Sequence, residues 1–330
     1  MKKIIYILIT IAILSCSNNT KNDNEDNIIK INVGYLADFA GASAIAIAKE
    51  KGFFEDENLD AQLIKFYSGP SEILSMIGNE IEFAYIGNGA HSHAINGYVQ
   101  VLFPNGISKA EQIISGKWTN IRTISDLKGK TVATHLGTSG ETMLNIALKS
   151  AGLTKEDINL LNVNVTNLAN MIINKKADAV STWSPYTKEI TDSIPDQYTV
   201  ISSITNYSNE AVFISSFIST SKYIKNNSYA VERFSRAILR AMDYRKYNLN
   251  EAVKITAEIT EQDENMMKRE IDTAVWFSSA DLKNSCKYKN IEKWYNTQQK
   301  TFLDSGIIKE NVPITNYVEL DRLKNILSTL

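Results

Sequence analysis

The sequence predicts an α/β protein built as two lobes, each a sheet flanked by helices. Two observations predict it. Strand and helix signals alternate from Ile29 onward, the order that layers helices against a sheet. The same alternation restarts near Thr123 as a second block, and a chain of 330 residues is long enough to give each block its own core. With 44% hydrophobic and 22% charged residues, the composition is that of an ordinary folded body.

The first residues set the compartment. Lys2 and Lys3 precede an apolar run from Ile4 to Leu14, interrupted only by Thr10, and Ser15-Cys16 follows. This is the pattern of an export signal; the run falls well short of the roughly 20 residues of a membrane-spanning helix. Ile13-Leu14-Ser15-Cys16 resembles a bacterial lipobox, which implies that residues 1–15 are a lipoprotein signal peptide and that Cys16 carries the lipid. The alternative is an ordinary cleaved signal with an incidental cysteine. Residues 16–27 are dominated by Asn, Asp, Lys and Ser and read as a flexible tether, because almost no apolar side chain could offset the entropy of ordering them.

In the first block, Ile31 to Tyr35 reads as a strand and Ser43 to Lys51 as a helix closed by Gly52, which suits the left-handed residue that ends helices. Ala61 to Phe66 is the second strand, and Ser68-Gly69-Pro70-Ser71-Glu72 starts a helix with Pro70 in its first turn, where a missing N–H costs nothing. Glu82 to Ile86 is the third strand, leading through Gly87 to His91 into a further helix. In the second block the strand Thr131 to Thr134 opens on Gly137 to Glu141 and the helix Thr142 to Ser150. Val163 to Lys176 reads as one helix and Ala177 to Thr182 as a strand. Trp183-Ser184-Pro185-Tyr186 then turns into a helix with Ser184 as cap. Ala211 to Thr220 is apolar and extended. Tyr229 to Tyr247 follows as a helix with Val231, Phe234, Ile238 and Met242 on one face, and Ile291 to Asp304 as another.

Several function classes are excluded on this reading. The formal charge of −2 offers nothing to nucleic acid. Cys16 and Cys286 are the two cysteines, too few for a disulfide framework or a cysteine zinc site. His91, His93 and His135 lack a further ligand at recognisable spacing and read as cleft-edge or surface residues, so no metal, cofactor or catalytic residue is expected. Neither a nucleophile elbow nor a phosphate-loop lysine motif is present.

Gly34-Tyr35-Leu36, Ala48 to Phe54, Asp126 to Ala133, and Ala177-Asp178-Ala179 followed by Trp183 to Tyr186 together resemble the nitrate/sulfonate/taurine type of ABC-transporter substrate-binding protein. The thiamine-pyrimidine-precursor binders are similar; both groups have the type II periplasmic binding protein fold. The resemblance implies a clamshell with residues 28–118 and 217–330 in lobe 1 and residues 119–216 in lobe 2. It further implies a monomeric, lipid-anchored, non-enzymatic protein of the cell envelope, facing periplasm or exterior. Such a protein catches a small molecule between the lobes and delivers it to a permease and its ATPase subunits. Enzymes similar to this group carry a cysteine-rich iron-binding run, which is absent here. A ligand sensor or surface adhesin is the reading from another class.

Ligands of open α/β sheets gather at strand C-termini, where loops lead into helix N-termini. Five such loops are legible, at 37–43, 68–72, 87–91, 137–141 and 183–186. The candidate ligand contacts are Asp38, Ser43, Ser71, Asn88, Thr138, Ser139, Glu141, Trp183 and Tyr186. Each has a plainer reading: Thr138 and Glu141 fit a capping box, Ser71 a helix start, Asp38 a turn cap and Trp183 an interlobe core residue. The expected ligand is a nitrate-, sulfonate- or taurine-like anion held by hydroxyls and helix N-termini. The loops contain no arginine to clamp one, so a flat heterocycle such as a thiamine pyrimidine precursor is the alternative, stacked on Trp183 or Tyr186 and hydrogen-bonded by Asp38 or Glu141.

Overall fold

The computed structural model describes residues 27–330; the expected signal peptide, Cys16 and nearly all of the expected tether lie outside them. Among the described residues, no helix is long and apolar enough to cross a membrane. Two sheets carry the fold. The strands are β1 Ile29–Leu36, β2 Leu59–Phe66, β3 Phe83–Ile86, β4 Gln100–Ser108, β5 Gln112–Gly116, β6 Thr131–Thr134, β7 Asn159–Asn162, β8 Ala179–Thr182, β9 Tyr198–Ser203, β10 Ile214–Ser219 and β11 Ala274–Trp276. The first sheet runs β11-β4-β10-β3-β1-β2 and the second β7-β6-β8-β5-β9.

Parallel strands are buried on both faces and need helical crossovers, and the sequence obeys that rule in both sheets. β1 pairs in parallel with β2 and β3, and β6 with β7 and β8. The helices that open on the cleft are α1 Phe39–Glu50, α2 Phe53–Asp56, α3 Gly69–Ile77, α4 His91–Ile95, α5 Ser139–Ser150, α6 Leu168–Ile173 and α7 Tyr186–Ser193. The chain then adds α8 Ser221–Asn226, α9 Ser228–Tyr247, α10 Leu249–Thr260, α11 Glu264–Lys268, α12 Ser279–Lys287, α13 Asn290–Asp304 and α14 Leu320–Thr329. On α9 the residues Val231, Phe234, Ile238 and Met242 are fully buried; Phe234 stacks on Phe83 at 3.9 Å between ring centroids. Gly52 sits at φ 71°, which lets α1 stop and α2 begin without a side-chain clash.

β5 pairs only with strands of the second sheet, and β10 lies between β3 and β4 in the first. The chain therefore crosses between sheets at 109–111 and returns at 204–213, earlier than the boundaries expected at 118/119 and 216/217. Strand pairing moves them, because β5 and β10 are both antiparallel strands that hydropathy alone does not assign to a sheet. The two crossings lie side by side: Ser108 N–H donates to the Phe213 carbonyl at 2.7 Å and Ile204 N–H to that of Glu111 at 3.0 Å. Two helices also differ from expectation. The segment expected as one helix over 163–176 starts later and ends earlier: Asn164 caps a tight first turn at Val165–Asn167 by accepting from Thr166 N–H, and this turn runs on into α6, which ends at Ile173. The Ser184–Pro185 bond is cis and α7 starts at Tyr186, so Ser184 does not cap it.

Candidate functional site

The C-terminal ends of β1, β2, β3, β6 and β8 converge on a cavity between the sheets, within which the centre of a water molecule can range over about 50 Å³. All five loops reach it, through Asp38, Gly69 and Pro70, Asn88, Thr138 and Ser139, and Trp183 and Ser184. The sheets approach closely here. A Cβ on Gly89 would fall 2.2 Å from the Thr138 carbonyl carbon, so only glycine allows that contact.

The cavity is acidic. Asp38, Glu111 and Glu270 line it and are buried, and no lysine, arginine or histidine does so among the described residues. Asp38 accepts from Gly41 N–H at 2.7 Å and Glu270 accepts from Phe39 N–H at 2.9 Å. The chain's own carboxyls thus occupy the positive end of α1, the place an anionic ligand would otherwise take. Burial pushes Asp38 up to about 6, although hydrogen bonds from Gly41 and the Trp183 indole oppose it. Burial also raises Glu111 to about 7, against hydrogen bonds from Ser108 and Ser139, and lifts Glu270 well above the carboxylate range, helped by the charge of Asp38. Asn88 donates its amide to the Val212 carbonyl at 3.2 Å, which fixes the orientation and leaves its buried Oδ1 as an acceptor without a protein partner. Aromatic walls come from Tyr85, Trp183, Phe213 and Trp276.

Of the nine expected contacts, Asp38, Asn88, Thr138, Ser139 and Trp183 line this cavity, and Tyr186 lines a chamber outside it. Three are corrected. Ser43 is buried under α1, where its hydroxyl accepts from Arg245 Nη1 at 3.0 Å, because α1 starts four residues earlier than expected and turns Ser43 to the core. Ser71 donates to its own helix start, the Ser68 carbonyl, at 2.6 Å. Glu141 accepts from Gly137 N–H at 2.7 Å and pairs with Lys155. The capping box is incomplete, since the Thr138 hydroxyl donates to the His135 carbonyl at 2.6 Å instead of accepting from the helix.

Of the three histidines, His91 departs from the expected cleft edge or surface. His91 is fully buried, its Nε2 2.8 Å from the Ser216 hydroxyl, and burial lowers it to about 4, so it is neutral. His93 packs edge-on to Tyr98 and His135 Nδ1 faces the Val163 carbonyl. Among the described residues, no group of His, Cys, Asp and Glu is arranged to hold a metal ion. Sequence reasoning missed Glu111, Glu270 and Trp276. Glu111 lies in the crossing between β4 and β5, and the other two in a tail that reads only as helices.

Residues 40–252 match the family model described as NMT1/THI5 like. A candidate binding protein of Brucella abortus (strain 2308) is 26% identical over 97% of this chain and 98% of its own. A candidate aliphatic sulfonates-binding protein of Bacillus subtilis (strain 168) is 25% identical over 81% of each chain. A candidate thiamine biosynthesis protein of Haemophilus influenzae is 29% identical over 42% of this chain and 44% of its own. Among solved structures, the alkanesulfonate-binding protein SsuA of Xanthomonas axonopodis pv. citri, bound to MOPS, superposes with a TM-score of 0.67 at 18% identity, covering 88% of this chain and 98% of that one. The desulfurization enzyme DszB does so at 0.62 and 11% identity, covering 91% and 99%, so the fold also carries catalysis. The alternating strand-helix chain, its two sheets and the cavity between them are those of a periplasmic binding protein, and the chain belongs to the NMT1/THI5-like family.

Proposed function

We propose that this chain is the solute-binding subunit of an ABC importer, anchored outside the cytoplasmic membrane through a lipid on Cys16, and that it is not an enzyme. We further propose that its ligand is a small planar nitrogen heterocycle, neutral or cationic, of the aminopyrimidine kind. The observation that carries the ligand class is the hydrogen-bonding make-up of the cavity: buried carboxyls of Asp38, Glu111 and Glu270 and the free Oδ1 of Asn88, with no basic side chain. A carboxyl beside an aminopyrimidine can exchange two parallel hydrogen bonds with the ring nitrogen and the amino group. An anion would add charge to an acidic, desolvated site, which is costly without a partner. The match to a thiamine biosynthesis protein supports the same class. Lobe 1 in this reading carries the first sheet and lobe 2 the second, and contacts from both favour closure and hand-over to a permease.

The second reading is a sulfonate. It is supported by the Bacillus relative and by Thr138 and Ser139, which bring the N-terminal turn of α5 to the cavity. Thermal unfolding of the full-length protein, purified in detergent, with 4-amino-2-methylpyrimidine or an alkanesulfonate separates the two. A ligand at about 100 times its dissociation constant adds about 2.7 kcal/mol. Stabilisation by the sulfonate and not by the pyrimidine overturns the heterocycle reading. Mass spectrometry of the mature protein tests the anchor, which is refuted by a Cys16 free of lipid.

A further inference from the structure

Outside the inner cavity lies a larger chamber, within which a water centre ranges over about 400 Å³. Leu36, Asp38 and Trp183 line both spaces. The wall between them is therefore made from both sheets, Asp38 from the loop after β1 and Trp183 from the loop after β8. Ser184 faces the inner cavity and Pro185 the outer chamber, so the backbone itself passes through the wall. Tyr186 meets the indole edge to face at 5.7 Å and 87° and braces it from outside.

The chamber has the chemistry of a stacking site. Tyr67 and Phe66 line it from the first sheet, and Tyr186 from the second. Tyr67 is 53% exposed, which leaves an aromatic face available to a partner. Asp38 and Glu189 are the acids that line this chamber, and Lys65, whose amine donates to the Thr260 carbonyl at 3.4 Å, also lies 6.0 Å over the Tyr67 ring. A flat, neutral ring with N–H groups meets aromatic faces and carboxyls here, as it does inside.

We propose that the outer chamber is a second ligand position, a stacking site occupied before the inner cavity by planar nitrogen heterocycles, and that the Trp183 indole is the partition such a ligand displaces to move inward. This rests on the heterocycle reading of the inner cavity. Binding then has two steps. The ring first stacks in the chamber, and the Asp38–Trp183 pair must part before it reaches Glu270 and Glu111. The wall closes again behind the ligand, so passage costs little at the end but imposes a barrier on the way.

Stopped-flow fluorescence of the full-length protein with 4-amino-2-methylpyrimidine tests this, with Trp276 in the inner cavity reporting arrival there. The wild type is expected to show a slow phase whose rate saturates with probe concentration. Tyr67→Ala should raise the half-saturating concentration by about fivefold, the worth of one stacking contact, and leave the plateau rate within about twofold. Trp183→Ala, which removes the partition, should raise the plateau rate. Because Tyr67 and Trp183 lie outside the core, circular dichroism should show both variants folded. Equilibrium binding with a single phase linear in concentration, or an unchanged half-saturation in the tyrosine variant, overturns the chamber and leaves the heterocycle reading standing. No binding of the probe to folded wild type overturns both.

Discussion

Replacing Glu111 by Gln should flatten the pH dependence of folding. Glu111 is 3% exposed and its carboxyl is pushed from 4.5 to about 7, mainly by burial. A raised folded-state value means that the native protein holds a proton the unfolded chain would release. Stability from this group is whole below about pH 4.5 and drains away as the pH rises through about 7. At 1.36 kcal/mol per unit, the shift corresponds to roughly 3 kcal/mol lost between pH 5 and pH 8. Asp38, raised to about 6, adds a loss of the same sign. Glutamine has the shape to keep the Ser108 hydroxyl, which lies 3.0 and 2.8 Å from the two carboxyl oxygens, yet it has no proton to release. Urea unfolding of wild type and Glu111→Gln at pH 5 and pH 8 reads the difference. The variant should match the wild type at pH 5 and exceed it by about 3 kcal/mol at pH 8. Equal losses in the two proteins would show that the Glu111 carboxyl ionises freely in the folded state, and the desolvation assigned to the closed cavity would lose its main support.

Other perturbations test the closed cleft and its surroundings. Gly89→Ala places a methyl 2.2 Å from the Thr138 carbonyl carbon; such overpacking costs about 1–3 kcal/mol, so probe affinity should fall about 5- to 150-fold. Small-angle scattering should show the probe-bound variant more open than wild type, and an unchanged profile and affinity would refute the contact. Arg269 joins Asp192 of α7 through two bonds of 3.0 and 2.6 Å, linking the end of α11 to the other lobe, but both side chains are well exposed. Arg269→Ala should speed probe release by no more than about fivefold, and salt at 0.5 M, on the order of a 4 Å screening length, should erase the difference. Glu72 is fully buried with neither carboxyl oxygen partnered, and burial raises it well above the carboxylate range. Glu72→Leu should stabilise the protein by about 1–3 kcal/mol at pH 8 in urea unfolding, and a loss there would mean the acid has a partner in solution.

The parallel strands β1, β2, β3, β6 and β8 were legible because each is a local signal, an apolar run leading into a helix start, whereas β7, with exposed Asn159 and Asn162 at its ends, left none. Thr131–Thr134 appears in the structure with its expected bounds. The antiparallel strands were less so. β4 contains Pro104 and Asn105 and β5 is only five residues long, and what makes them strands is pairing with β10, β8 and β9, partners far away in sequence. The site divides in the same way. Loops that follow parallel strands reach the cavity because the topology compels it, so Asp38, Asn88, Thr138, Ser139 and Trp183 could be named. Glu111 and Glu270 could not, since the crossing and the closing tail that place them leave no periodic trace. Ser43 and Glu141 failed for a different reason. A hydroxyl or carboxyl near a helix start satisfies the fold first, and a core arginine or a local N–H claims it before any ligand can.

The distribution of chemistry over the two lobes has a consequence for closure. Asp38 and Glu270 come from the first lobe and Glu111 from the crossing, while the second lobe brings hydroxyls of Thr138, Ser139 and Ser184 and the Trp183 indole. A ligand that met only the carboxyls would bind the open and closed forms alike and shift nothing. Both sets line one cavity, so a ligand there meets the two lobes at once. Burial raises Asp38 and Glu111 more than the donors around them lower them, so closing the cleft favours their neutral form. A ligand of the class proposed above, rich in N–H groups, supplies the donors that the desolvated carboxyls lack and also meets the second-lobe hydroxyls, which is the differential affinity that closure requires.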